Sequence, residues 1–138
     1  MSETIYAVID TNVLVSALIT RNPNSPVVKI FNFLGMNKLI PVFNEEIIKE
    51  YRDVLLRPKF KIPSDVVDSV VNAIILKGKK ISELVEITEK MPDPKDVVFY
   101  AVSLTNQEST YLVTGNLKHF PKRPFIVSPS ELIKILES

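Results

Sequence analysis

The sequence predicts an α/β domain of three layers, an α/β/α sandwich in which a central, mainly parallel sheet is covered by helices on both faces. Two observations carry that expectation. Short unbroken apolar runs rich in β-formers, such as Ile5-Tyr6-Ala7-Val8-Ile9 and Tyr111-Leu112-Val113, end abruptly in polar residues, the pattern of strands buried on both faces. Between them lie longer stretches whose apolar residues return at helical spacing, and strands that alternate with helices build parallel sheets. The 138 residues read as a single domain, 1–138, that buries about two-thirds of its unfolded surface.

Each element has its own local signal. Residues 5–9 form the expected central strand, and polar Asp10-Thr11-Asn12 leads into a helix over 13–19 that ends before Arg21-Asn22-Pro23. Ser25-Pro26 places a cap and a first-turn proline ahead of Val27, Ile30, Phe31 and Leu34, a second helix that runs to Gly35. A short strand over 38–43 follows, with Asn44 as the cap of a helix that reaches Arg57 and is stopped by Pro58. Pro63-Ser64 opens a helix through Ile75 that closes near Gly78, and 81–88 reads as a weak or edge strand. Asp93-Pro94 starts a helix to about residue 106. Tyr111-Leu112-Val113 and Phe125-Ile126-Val127 are the last strands, and Ser128-Pro129 begins a terminal helix to Leu136.

Composition excludes several classes of function. Seventeen Lys and Arg against sixteen Asp and Glu leave a charge of +1, so any contact with nucleic acid rests on local patches rather than a global field. The absence of cysteine removes disulfides, thiolate zinc sites and cysteine nucleophiles and fits a reducing cytoplasm, and the single histidine, His119, excludes multi-histidine metal centres. No apolar run reaches the roughly 18 residues of a membrane span, and Met1-Ser2-Glu3-Thr4 lacks the basic region of a secretory signal. A soluble, cytoplasmic protein is expected. The three glycines, Gly35, Gly78 and Gly115, make no dinucleotide or phosphate loop. An aspartyl-phosphate site would need a second Asp where Asn12 stands.

In parallel sheets ligands bind beyond the carboxyl ends of the strands. Asp10, after the first strand, and Asn116, after the 111–113 strand, therefore share a rim, which Asp96 joins if its helix begins there. Asp10 fits two roles: N-cap of the helix that follows, or, if Thr11 and Asn12 cap instead, an acid needing another partner such as a cation. The helix over 44–57 carries Glu45, Glu46, Glu50 and Asp53. A step of about 100° per residue places Glu50 nearest the apolar stripe of Ile47, Ile48, Tyr51, Val54 and Leu55, against the alternative of a solvated acid paired along the helix. Asp93 and Asp96 fit a capping box around Pro94, although Asp96 is short for the return bond. Thr114 to Pro121 holds Gly115, Asn116, Lys118 and His119 just past a strand. A tight turn explains the Gly and Asn without function, while 57–61 and 118–123 are small basic stretches suited either to phosphate contact or to solvated loops.

Asp10-Thr11-Asn12-Val13-Leu14-Val15-Ser16, Glu50-Tyr51 ahead of Val54-Leu55-Leu56-Arg57-Pro58-Lys59-Phe60, Asp93-Pro94-Lys95-Asp96 and Tyr111-Leu112-Val113-Thr114-Gly115-Asn116 together resemble the PIN-domain ribonucleases, in the order and spacing of that family. The resemblance is nearest to the small bacterial and archaeal PIN proteins of the VapC type, the toxins of toxin–antitoxin pairs. It implies that Asp10, Glu50 and Asp96 are the catalytic, metal-binding acids, that Thr11, Asn12 and Thr114 support the site, and that Asn116 stands where the family commonly has a further acid. The implied activity is a divalent-metal-dependent endoribonuclease.

Carboxylates gathered in one place repel one another unless a cation compensates, and oxygen-only ligands point to Mg²⁺ or Mn²⁺. Asn116 offers a neutral carbonyl oxygen or a donor to water, which implies weaker metal binding. The resemblance implies single-stranded or locally unpaired RNA as substrate, and with a near-neutral chain the local basic residues Lys118, His119, Lys122 and Arg123 are the candidate strand contacts. It also brings in an antitoxin protein as partner; the Val- and Ile-rich helix over 66–75 offers a surface for that partner or for a homodimer, with burial in the core as the expected use. The competing reading is a PIN-like RNA-binding or protein-interaction module that has lost catalysis through Asn116, and a third is a structure-specific DNA nuclease of related fold.

Overall fold

A computed structural model describes residues 4–106 and 109–138. Met1-Ser2-Glu3, read above for the missing basic leader, lie outside the described residues. Every strand pairing is parallel. β1 (Ile5–Ile9) lies at the centre, with β2 (Leu39–Phe43) on one side and β4 (Thr110–Val113) on the other, and two-residue strands β3 (Lys79–Lys80) and β5 (Ile126–Val127) at the edges, in the order β3-β2-β1-β4-β5. Ala7 pairs with both Pro41 and Tyr111, and Ile9 with Val113. The apolar run of β1 is thus consumed by helices above and below the sheet, and Ala7, Val8 and Ile9 are buried.

The helices are α1 (Thr11–Ile19), α2 (Pro26–Gly35), α3 (Glu45–Leu55), α4 (Ser64–Lys77), α5 (Val97–Thr105) and α6 (Pro129–Glu137). α5 lies across β1, β2 and β4 and meets α3, which meets α4, while α2 meets α1 and α6. These are the two outer layers of the expected sandwich. Asn44 Oδ1 caps α3 by accepting from Ile47 N at 2.9 Å, and Ser128 with Glu131 forms a full capping box on α6. α4 buries Val67, Val71 and Ile74, leaving Val66, Ile75 and Leu76 exposed, so only one stripe of that helix serves the core.

Two expectations are corrected. The edge strand is Lys79–Lys80, not 81–88. It pairs with Val42 and Phe43, Ile81 N donates to Phe43 O at 2.8 Å, and there the ladder ends, because the chain beyond Phe43 turns into the cap of α3. The helix expected from Asp93 begins as a 3-10 turn over Pro94–Asp96 and becomes α-helical only at Val97. Pro94 has no N–H, and Asp93 Oδ1 accepts from Lys95 N at 3.0 Å. The return bond from Asp96 is not made, so no capping box forms there.

The strand order places the site. From β1 the chain moves outward to β2 and β3, then crosses back to β4 on the other side of β1. The carboxyl ends of β1 and β4 flank this reversal, which is where a parallel sheet leaves a crevice for ligands.

Candidate active site

Asp10 occupies the N-cap position of α1, yet its side chain makes no capping bond. Instead, Thr114, at the end of β4, donates its hydroxyl to Asp10 Oδ2 at 2.7 Å, a bond between two buried side chains across the reversal point. Thr114 Oγ1 also accepts from Asn116 N at 2.9 Å. Asn12 Oδ1 accepts from Gly115 N at 3.2 Å, fastening the start of α1 to the turn after β4.

Glu50 comes from α3. Of the acids on that helix it is the half-buried one, while Glu45, Glu46 and Asp53 are exposed and Glu45 pairs with Lys80. Its Oε2 accepts the hydroxyl of Thr11. Next to it in sequence, the wholly buried Tyr51 donates its hydroxyl to Ile9 O at 2.5 Å, which sets the height of α3 against the end of β1. The residue pattern marked Tyr51 as core and gave no hint of this bond, since the partner is a backbone carbonyl supplied by the fold.

Asp96 ends the 3-10 turn before α5 and is half-buried. Its Oδ2 lies 3.2 Å from His119 Nδ1, and because a carboxylate only accepts, the ring nitrogen carries the hydrogen. His119 reaches it from a second 3-10 turn, Leu117–His119. Thus each of the three acids has one oxygen held by a side chain from another element.

The three acids act on one another. Burial raises the pKa of Asp10 first, the Thr114 hydroxyl lowers it, and the charge of Asp96 raises it. Glu50 is raised by burial, lowered by the Thr11 hydroxyl, and raised by Asp10. Asp96 is raised by burial and by Asp93, lowered by His119, and raised again by Glu50. Lys95, to which the sequence motif assigned no part, lowers Glu50 by its charge.

Asp10, Glu50 and Asp96 line one open cleft of about 560 Å³, together with Thr11, Asn12, Asn116, His119 and others. Thr114 stands behind it, buried. Lys118 lines a neighbouring hollow of about 640 Å³ with Lys122, Arg123 and apolar residues. That hollow is lined by no acid, so the smaller cleft is the candidate active site. Among the described residues no group of three acidic or histidine side chains surrounds one point as metal ligands, and the acids share the cleft without closing on a single centre. Their oxygen donors, raised pKa values and mutual repulsion fit a hard divalent cation.

Fold and site define a three-layer α/β protein with a carboxylate-lined cleft at the point where its parallel sheet reverses. A family model of the PIN domain matches residues 6–118, from β1 through the turn that carries Asn116, and the chain belongs to the PIN-domain family, whose members are generally nucleases. Comparison with curated proteins and with solved structures gives no match. No helix among the described residues is long and apolar enough to cross a membrane.

Proposed function

We propose that this chain is an endoribonuclease that hydrolyses phosphodiester bonds in single-stranded RNA with the help of Mg²⁺ or Mn²⁺, as the toxin of a toxin–antitoxin pair working in the cytoplasm. The observation that supports it is the convergence of Asp10, Glu50 and Asp96, from three separate elements, on one cleft where each raises the pKa of another. When bound, the cation would acidify a water and offset charge on the phosphate. Asp10, Glu50 and Asp96 are the residues that would hold it. Thr114 and Thr11 keep Asp10 and Glu50 turned toward the cleft, and Asn12 ties together the two segments that carry the site. Asn116, at the lip, offers an amide in place of a further charge, and the exposed Lys118, Lys122 and Arg123 meet the phosphates of the strand.

Asn116 is also what favours the second reading, an RNA-binding or protein-interaction module without catalysis. A mixed RNA pool incubated with Mg²⁺, Mn²⁺ or EDTA separates the two. The proposal expects cleavage that EDTA abolishes and that Asp10→Asn lowers by more than about 100-fold, the upper figure for losing a residue that merely supports a ligand. Binding without cleavage in every metal supports the module. Cleavage confined to flap or single-stranded DNA points to a DNA nuclease.

A further inference from the structure

Asp96 differs from its two companions in how it is held. It sits on a short 3-10 turn, its side chain makes no bond to the local backbone, and the neighbouring Asp93 repels it. Asp10 and Glu50 are fixed by hydroxyls of buried threonines. For Asp96 the corresponding donor among the described residues is His119 alone, at 3.2 Å. The ring is 42% exposed and the Asp96 side chain 13%, so the contact lies at the mouth of the cleft rather than in the core.

The segment that delivers His119 is itself anchored at the site. Thr114 Oγ1 accepts from Asn116 N at 2.9 Å, and Asn116 O accepts from His119 N at 3.0 Å. The residues from Thr114 to His119 therefore clasp Asp10 at one end and Asp96 at the other. We propose that His119 is a positioning residue: its Nδ1–H holds Oδ2 of Asp96, leaving Oδ1 for the divalent cation, and sets the distance between Asp96 and Asp10. This rests on the metal-dependent reading above. It gives His119 a task distinct from strand contact, and it gives a stretch without a further carboxylate at Asn116 a way to serve the ion through an acid on another element.

Mn²⁺ binding to the purified full chain, followed by calorimetry and by electron spin resonance of the ion, tests the assignment without any cleavage assay. His119→Ala is expected to weaken Mn²⁺ binding by about 10-fold, the lower end for removing a residue that orients a ligand. His119→Asn, whose amide N–H falls near the Nδ1 position, is expected to recover most of that loss, and His119→Gln, whose amide reaches past it, is not. Thermal unfolding in EDTA should leave all three variants near the parent. Wild-type affinity in His119→Ala overturns the inference, as does equal affinity of the Asn and Gln variants, a comparison that stands even if the alanine variant does not fold. Nitrogen coupling from His119 to the bound Mn²⁺ would make it a ligand and overturn the inference too. Asp10→Asn is the control: if it abolishes binding while His119→Ala changes nothing, only the role of His119 falls. If the parent chain binds no Mn²⁺, the metal site falls with it.

Discussion

Asp10 is an acid that the fold buries, and the consequence is a definite sign of pH dependence. Its carboxyl pKa is raised, first by burial and further by Asp96, so the folded chain binds that proton more tightly than the unfolded chain. The linked stability is present at acid pH and is lost as pH rises from the unfolded value, about 4, through the raised value. Asn at position 10 resembles the protonated acid. In EDTA, the stability of Asp10→Asn relative to the parent should therefore rise with pH across that window, as followed by urea unfolding; a difference that does not vary with pH would contradict a desolvated Asp10. Thr114 is the second residue with a clear consequence. Thr114→Val keeps its shape but leaves Asn116 N–H and Asp10 Oδ2 without their shared partner, which should cost about 1–3 kcal/mol in the same experiment. Asp10 and Glu50 were legible as residues: one follows a buried strand, the other borders an apolar stripe. What held them was not, because Thr114 and Asp10 are 104 positions apart and no local pattern links them.

At the scale of the elements, the junction of α4 and β3 leaves no room for a side chain. Gly78 lies where a Cβ would come within 2.4 Å of Pro41 O, 2.6 Å of Ile74 O and 2.8 Å of Phe43 Cε1. Two of those atoms are backbone and cannot step aside. Gly78→Ala should destabilise the chain by about 1–3 kcal/mol, measured by chemical denaturation, and its effect should centre on the seat of α4 against β2 rather than on the cleft. The sequence marked Gly78 as a helix end, which it is, but close approach to β2 is the stronger reason for glycine there. Helices with caps and long stripes, such as α3 and α6, were readable nearly to their ends. The segment after Lys80 was misread because Ile81, Val85 and Ile87 have the composition of a strand, while strand formation depends on a free edge to pair with, and β2 ends at Phe43.

At the scale of the whole molecule, a charge of +1 means that the proposed affinity for RNA would come from a handful of contacts. If Lys118, Lys122 and Arg123 each neutralise one phosphate, the slope of log K against log salt for single-stranded RNA should be about −2, and Lys118→Ala with Lys122→Ala should bring it to about −0.7. Fluorescence anisotropy with the Asp10→Asn chain measures this without cleavage. A slope that the two substitutions leave unchanged would remove the lysines from the interface. The layered α/β architecture and the central place of β1 follow from the sequence by itself, because burial periodicity and turn chemistry are properties of neighbouring residues, while the three acids were singled out by the resemblance to the PIN family. The strand order, the shared cleft, the hydroxyls that grip Asp10 and Glu50, and the meeting of His119 with Asp96 were decided by the tertiary structure alone. Each of these joins groups far apart along the chain, and only the closing of β1 against β4 and the docking of α3 bring them within reach of one another.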